Sequence, residues 1–369
     1  MTSQNPRVSK SVLIFGCLLL GFTGCYTPLP KKNTTPAPDW SEPGTPTNRT
    51  VQAPLTNTIA VTTAPLTNPP QTRPVLESGW QPLGRWAAEQ GLRAPQRVAS
   101  GPTNSFALVS PIGIFALQAG STTAIWNGIE LRLGFKPQLT PIQGELLVHH
   151  LDLEKNLTPL LLAAPVIERG RVIVIDAGHG GANLGTCSAD GNCEKTFALD
   201  WASRLTSLLT TNGWTVHLTR TNDVEVSLPA RVALAEEQHA DLFISLHFNH
   251  SGGGTEPAGV ETYCLTPVGM ESTLTRGYPD DPNEILPNNA FDAENLRLAA
   301  KIHRELLSLD SVRDRGIRRA RFQTVLRGQN RPAILVEGGF LSNTAEAHRI
   351  ADPDYRQKLA EAVARALGS

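Results

Sequence analysis

Residues 172–181 read VIVIDAGHGG, a run of branched apolar residues that ends at an acid, a histidine and several glycines. An apolar run without alternating polar residues is typical of a strand buried on both faces of its sheet. The run stops at Asp176, so the chain is predicted to leave the sheet there. The rest of the chain must explain why a buried strand ends at a histidine with so little bulk around it.

Further strand patterns follow this one, and helical patterns alternate with them. The strand patterns are VIVID (172–176), TVHLT (215–219), LFISLH (242–247), VETYC (260–264) and AILVE (333–337). The helical patterns cover 195–213, 227–238 and 352–367. Ser227 is the expected N-cap of the second helix, with Pro229 in its first turn. This alternation predicts an α/β fold with a mixed, mostly parallel sheet and helices on both faces.

Composition narrows the range of partners. The chain has 369 residues, 40% of them apolar, which is enough for two domains and a packed core. Its formal net charge is -1. Nucleic-acid-binding proteins normally carry a basic excess, so no nucleic-acid partner is expected.

The N-terminus has the pattern of an export signal. Two basic residues precede an apolar stretch of 11 residues, VLIFGCLLLGF. A spanning helix needs about 20 apolar residues, so the stretch predicts a secretory signal rather than an anchor helix. FTGCY at 22–26 resembles a bacterial lipobox, which implies a signal at 1–24 and a lipid on Cys25. Tyr26 in place of aspartate favours the outer membrane and its periplasmic face, whereas ordinary signal cleavage is the alternative.

Two segments separate this signal from the α/β pattern. Residues 25–77 are rich in proline and threonine and repeat APLTN, so they predict a disordered tether. Residues 78–152 predict a small α+β domain, with an amphipathic helix at 80–92 and hairpins at 106–120 and 124–134. This part resembles copper amine oxidase N-terminal-like domains. No copper is expected, because adjacent His149 and His150 in a strand would point to opposite faces.

Cysteine use agrees with export. Cys187 and Cys193 lie close together in a glycine-rich loop and could form a disulfide in an oxidising compartment. Free thiols are the alternative. The spacing of these cysteines matches no common zinc pair.

Chemically active side chains stand at the predicted strand ends. His179, His247 and Glu337 each follow or end a strand pattern, and Glu194 opens the helix after the first strand. In open α/β sheets functional groups gather at the carboxyl ends of the strands. Two histidines and a carboxylate leave a fourth position open on a tetrahedral metal ion, as catalytic zinc requires. A further glutamate could act as general base and then as general acid.

Ordered motifs then identify a family. They are IDAGHGG (175–181), EKTFAL (194–199), LTRTND (218–223), ADLFISLHFN (240–249) and PAILVEGGFLSN (332–343). With them, residues 171–369 resemble the catalytic domain of the zinc-dependent N-acetylmuramoyl-L-alanine amidases of the Amidase 3 family. The resemblance implies peptidoglycan as substrate and a role in wall remodelling or division. The bond cut would be the amide between N-acetylmuramic acid and L-alanine of the stem peptide.

The resemblance also implies roles for individual residues. His179, Glu194 and His247 would hold Zn2+, and Glu337 would transfer the proton. The glycines around His179 would let the backbone approach the metal. Weaker predictions place Asp176, Asn249 and Arg315 next to the ligands or the substrate, although Asp176 could equally be structural. His250 matches no family ligand.

Two further segments are harder to assign: one is rich in proline (265–289) and the other is rich in arginine (313–327). Residues 265–289 read as a long loop, which we expect to form a wall of the substrate groove. The arginines of 313–327 could grip carboxylates of the stem peptide, or form internal ion pairs.

Alternative functions stay open from the sequence. One is a zinc peptidase or deacylase acting on another wall amide. Another is a wall-binding lipoprotein that is non-catalytic or activated by a protein partner.

Overall fold

The computed structural model describes residues 79–99, 104–140, 144–163, 170–251 and 257–368. The predicted signal, the lipid-attachment residue Cys25 and the tether at 25–77 lie outside these ranges. Within the described ranges, no helix is both long enough and apolar enough to cross a bilayer.

The secondary structure begins with short strands and ends with helices. The strands are β1 (Trp80–Pro82), β2 (Gln96–Ala99), β3 (Ser105–Ser110), β4 (Gly113–Gln118), β5 (Thr123–Trp126), β6 (Ile129–Arg132), β7 (Gln138–Leu139), β8 (Leu146–His149), β9 (Val172–Ala177), β10 (Thr215–Leu218), β11 (Leu242–Asn249), β12 (Val260–Cys264), β13 (Asp314–Arg319) and β14 (Ala333–Phe340). The helices are α1 (Leu83–Glu89), α2 (His150–Asp152), α3 (Thr158–Leu161), α4 (Glu194–Thr211), α5 (Leu228–Glu237), α6 (Asp292–Leu307), α7 (Thr324–Arg327), α8 (Thr344–Ala351) and α9 (Pro353–Ala366). A π-helical turn at Leu153–Leu157 and a 3-10 helix at Pro287–Phe291 complete the set.

The C-terminal strands form a mixed, mostly parallel sheet in the order β10-β9-β11-β14-β12-β13. Each neighbouring pair in this order is parallel except β12 with β14. The predicted fold class is therefore confirmed, and all the predicted strands are present.

The alternation of side chains along β9 explains its unbroken apolar sequence. Ile173 and Ile175 pack in the cluster that contains residues of α4, α6 and α9, whereas Val174 packs in a second cluster with residues of α5 and α7. Successive side chains of a strand point to opposite faces, so helices covering both faces demand apolar residues at every position. The predicted two-sided cover is therefore present.

The helices keep close to their predicted limits. Ser227 caps α5, since its hydroxyl accepts a hydrogen bond from the backbone N–H of Ala230. The predicted helix at 80–92 is shorter in the structure, because Trp80 lies in β1 and pairs with His149 of β8. Leu83 and Trp86 of α1 are buried, as its amphipathic pattern indicates.

The strands of the N-terminal region continue the large sheet. Strands β3 to β6 form the predicted antiparallel hairpins. They join the C-terminal strands through a parallel contact of β6 with β13, where Leu131 faces Ile317. The proposed domain boundaries at 152 and 171 stay predictions.

The two adjacent histidines differ from their expected arrangement. The strand ends at His149, and His150 opens α2, so the two rings do not alternate across a sheet. Their centroids lie 4.5 Å apart.

Candidate active site

Three neighbouring strands carry the predicted functional residues to one edge of the sheet. The strands β9, β11 and β14 are consecutive in the sheet and parallel. His179 follows β9 by two residues, while His247 lies in β11 directly beside Glu337 of β14 in the strand register. Because parallel strands end at the same edge, residues distant in sequence meet here.

The two histidines and Glu194 form a compact cluster. His179 Nε2 lies 3.0 Å from Oε2 of Glu194, and His247 Nδ1 lies 2.8 Å from Oε1 of the same carboxylate. The nitrogen and oxygen atoms that could act as ligands all lie within 4.8 Å of one another. This cluster could hold a metal ion, and the described residues contain no second group of three or more His, Cys, Asp or Glu side chains so arranged.

Glycines make this close approach possible. A Cβ atom on Gly178 would lie 2.4 Å from Cε1 of His247, and one on Gly185 would lie 2.5 Å from Oε2 of Glu194. Both distances are far below van der Waals contact, so a larger residue at either position would displace a candidate ligand. This requirement explains the low bulk of the sequence around His179.

The Glu194 carboxylate is held by the backbone as well as by the histidines. Its Oε2 accepts a hydrogen bond from the N–H of Thr186 at 3.0 Å, and its Oε1 accepts one from Phe248 at 3.0 Å. Burial opposes ionisation, but the adjacent imidazoles of His179 and His247 outweigh it and lower the pKa of Glu194. Its place at the positive end of α4 favours the same charge state. Glu194 therefore presents a carboxylate at neutral pH.

Asn183 sets the orientation of the His179 ring. Its Oδ1 lies 2.8 Å from His179 Nδ1, so this nitrogen is the donor and Nε2 is left to face Glu194. The backbone of His179 is left-handed, with φ of 61°, which is uncommon for a residue with a side chain. No sequence pattern indicates Asn183, since a polar residue in a glycine-rich loop is ordinary.

Two buried arginines hold the strained segment that carries His179. Arg220 donates to the carbonyl oxygens of Ala177 and Gly178 at 2.9 and 2.7 Å. Arg231 donates to the carbonyl oxygens of Ala177 and His179 at 2.9 and 2.8 Å. Backbone groups from the end of β9 onward are thereby fixed by charge-assisted hydrogen bonds.

Asp176 acts on the site through Arg231. It is buried and accepts hydrogen bonds from Arg231, from the Thr219 hydroxyl at 2.7 Å and from the Ser245 hydroxyl at 2.6 Å. Burial alone would raise its pKa, but the charge of Arg231 and these hydrogen bonds lower it. Within the described residues, Asp176 forms no hydrogen bond with the side chains of His179 or His247, but Arg231, which it binds, donates to the backbone carbonyl of His179.

We expect Arg231→Met to destabilise the fold by about 3–5 kcal/mol, because it leaves the buried charge of Asp176 without its partner. Denaturant unfolding followed by circular dichroism measures this change. The matched control is Arg85→Met, which breaks an exposed pair with Glu89 and should cost less than about 1 kcal/mol. Equal effects of the two substitutions would contradict the structural role of Arg231.

Glu337 differs sharply from Glu194 in its surroundings. It is 6% exposed, and its Oε2 is buried without a hydrogen-bond partner among the described residues. Burial raises the pKa of Glu337 well above its usual range, and the negative charge of Glu194 adds to the rise. Two carboxylates with opposite pKa shifts in one site are suited to different roles, one as a permanent anion and one as a proton carrier.

These side chains line one cavity of about 420 Å³. His179, Glu194, His247 and Glu337 all contribute to its wall. Arg276 and Tyr278, from the loop that follows β12, also line it. This placement agrees with the groove wall expected for residues 265–289.

The roles predicted for Asn249 and Arg315 stay predictions, and the structure places the two residues differently. Asn249 is buried and lines the cavity, where its Nδ2 donates to Glu261 at 2.7 Å. Arg315 does not line this cavity, since its Nε pairs with Glu261 at 3.1 Å and its guanidinium lies over the ring of Phe340. His250 lines the cavity but lies outside the cluster of ligand atoms.

The arginine-rich segment contains a strand that the sequence did not indicate. It is β13, in which Gly316 and Ile317 separate Arg315 from Arg318 and Arg319. The expectation that this segment grips substrate is not supported for its paired members, because their guanidinium groups bond to this chain. These pairs are Arg315 and Arg318 with Glu261, Arg321 with Asp280, and Arg327 with Glu284, while Arg319 donates to Asn156.

The loop before Glu194 is closed covalently. Cys187 and Cys193 form a disulfide bond, and Cys193 is the residue directly before α4. The remaining described cysteine, Cys264, is a buried thiol. The disulfide therefore links the start of this loop to the residue next to a candidate ligand.

With this geometry established, comparison with known proteins gives the family. Residues 173–369 match the family model described as N-acetylmuramoyl-L-alanine amidase, Amidase 3. The match covers more than half of the chain. The chain belongs to the Amidase 3 family, and its enzyme class is that of an N-acetylmuramoyl-L-alanine amidase.

The chain also resembles individual proteins, among them two curated relatives and one solved structure. The chain is 32% identical over 215 residues to the uncharacterized protein YqiI of Bacillus subtilis, covering 58% of this chain and 91% of that one. It is 29% identical over 237 residues to the N-acetylmuramoyl-L-alanine amidase AmiC of Escherichia coli O6:H1, covering 58% of this chain. It spans about half of AmiC, 56% of its length. The solved amidase AmiC2 of Nostoc punctiforme is 29% identical, with a TM-score of 0.44 and coverage of 53% of this chain and 94% of that one.

Proposed function

We propose that the chain hydrolyses the amide between N-acetylmuramic acid and L-alanine of peptidoglycan, with a zinc ion held by His179, Glu194 and His247. One observation carries the proposal. Glu337, a buried acid with an unpartnered oxygen, lies beside His247 in the strand register and lines the same cavity as the three ligands.

The donor set fits zinc. Two imidazole nitrogens and one carboxylate are ligands that Zn2+ accepts, and three protein ligands leave room for water or substrate. The ligand atoms stand within 4.8 Å of one another, and one ion could contact all three. The Asn183 bond to His179 supplies the outer contact that commonly fixes a zinc-bound histidine. A metal at this position would polarise the carbonyl oxygen of the amide and lower the pKa of a water molecule.

The protein groups then account for proton movement. Glu337 faces the cavity from β14, and its high pKa means that it holds a proton readily once it has accepted one. As general base it would take a proton from the attacking water, and as general acid it would deliver that proton to the leaving amine. Burial strengthens this exchange, because few solvent molecules compete for the proton.

The test is a digest of purified sacculi by the full chain. We expect free stem peptides with an L-alanine amino terminus, detected by mass spectrometry, in the presence of zinc. A chelator should abolish their release, and added zinc should restore it. Fragments cut at another amide would indicate a peptidase or deacylase. No release from zinc-loaded, folded protein would favour a wall-binding or partner-activated lipoprotein.

A further inference from the structure

Arg276 supplies a permanent positive charge to the cavity that contains the candidate ligands. Among the described residues that line this cavity, the carboxyl groups are those of Glu194 and Glu337, and there is no lysine or second arginine. A guanidinium group does not lose its proton in proteins. The cavity therefore combines two acids with one permanent cation, Arg276. No step of the proposed amide hydrolysis uses this cation.

The partners of Arg276 leave most of its donors available. Its Nη2 donates to Oδ1 of Asn249 at 2.7 Å. No carboxylate of the described residues pairs with it, in contrast to Arg315, Arg321 and Arg327. A guanidinium has five N–H donors in a planar fork, which matches the two oxygens of a carboxylate.

The position of the guanidinium is fixed before any ligand arrives. Asn249 is itself held by its bond to Glu261, so the acceptor of Arg276 is rigid. The Cζ atom of Arg276 lies 5.5 Å from the ring centroid of Phe322, a cation–π distance. The backbone of Arg276 has φ of 50°, a left-handed conformation that residues with side chains adopt at a cost.

An aromatic surface continues from this cation along the rim. The rings of Tyr278 and Phe322 are stacked, with centroids 5.8 Å apart and an interplanar angle of 16°. Tyr278 is 62% exposed, and both rings line the cavity. An apolar surface beside a permanent cation suits a ligand in which a carboxylate adjoins apolar groups, as in an acidic peptide.

We propose that Arg276 binds a free carboxylate of the substrate, so that the enzyme prefers stem peptides carrying a carboxylate near the cut amide over those carrying a carboxamide. The proposal rests on the amidase function argued above. Asn249 and Phe322 are positioning residues for the guanidinium. A neutral carboxamide offers one acceptor oxygen and no charge, and it would lose the bidentate ionic contact.

The experiment compares two soluble muramyl peptides that differ only in the second stem residue, which carries a free carboxylate or a carboxamide. The full chain, Arg276→Gln, Arg276→Lys and the charge-matched control Arg304→Gln are assayed for kcat and KM on both. Arg304 is an exposed residue of α6 and does not line the cavity. Metal content and thermal unfolding are measured for each protein.

For the wild type we expect kcat/KM to favour the acidic peptide by about ten- to a hundredfold. Arg276→Gln should bring the ratio close to one, mainly by raising KM for the acidic peptide. Arg276→Lys should keep part of the preference, and Arg304→Gln should keep all of it. A wild-type ratio near one would overturn the proposal. Equal losses on both peptides in Arg276→Gln would also overturn it, and would assign Arg276 to the reacting carbonyl instead.

A binding measurement distinguishes the proposed carboxylate site of Arg276 from the proposed amidase function. Calorimetric titration of the Glu337→Gln chain with each peptide should show tighter binding of the acidic one, and Arg276→Gln in that background should remove the difference. Preferential binding by a wild type that hydrolyses neither peptide would refute the amidase function and support the carboxylate site. Hydrolysis without any binding preference would do the reverse.

Discussion

Glu337→Gln is expected to lower the turnover of the muramyl amide by about a hundred- to ten-thousandfold, the usual contribution of a general acid–base residue. Glutamine has nearly the same shape but can neither accept the proton from water nor return it to the amine. The metal content should stay at the wild-type level, because Glu337 is outside the group of ligand atoms. Release of stem peptides from sacculi measures the loss, and elemental analysis measures the metal.

Stability should move in the opposite direction from activity. The buried Oε2 of Glu337 has no partner among the described residues, so a neutral amide removes a group that is costly to ionise there. We expect the Tm to stay the same or rise. The matched control is Glu346→Gln, also buried, whose carboxylate accepts hydrogen bonds from the N–H groups of Gly259 and Phe340.

The control should show the reverse pattern. Glu346→Gln should lower stability while keeping turnover per folded molecule, because its bonds support the end of β14 and do not face the cavity. Near-wild-type turnover in Glu337→Gln would remove this residue from the reaction. Metal loss in that variant would assign it to the ligands instead.

The parts of the site that the sequence could predict are those at strand ends. His179, His247 and Glu337 follow strongly apolar runs, and the strand pattern is a local property of those runs. Parallel strands deliver their carboxyl ends to one edge, so no knowledge of long-range contacts was needed to bring these residues together. Glu194 could be added because it opens the next helix.

The parts that the sequence could not predict depend on contacts between distant segments. Strand β13 carries arginines where apolar residues would mark a strand, and two of them, Arg315 and Arg318, pair with Glu261. Arg276 lies in a loop without periodicity, and its contacts with Asn249 and Phe322 place it at the cavity. In both cases the deciding partner is far away in the chain, so a local pattern has no information about it.

The contacts of Arg220 and Arg231 are a further example of what the sequence alone could not predict. Arginines commonly pair with acids, and Arg231 does pair with Asp176. Their bonds to the carbonyl oxygens of Gly178 and His179 could not be expected, since backbone acceptors carry no sequence signature.

His247→Ala is expected to abolish metal binding and reduce activity to background, because one of the three proposed ligands is lost and an alanine offers no replacement. Elemental analysis of the purified full chain and stem-peptide release from sacculi measure the two effects. The matched control is His250→Ala, which removes a histidine lining the same cavity only three residues away but outside the cluster of ligand atoms. It should retain the metal and the greater part of the activity. The two substitutions remove the same imidazole from the same cavity, so their difference isolates ligation. Metal retained in His247→Ala, or lost in His250→Ala, would show that the ion is held by a different set of residues.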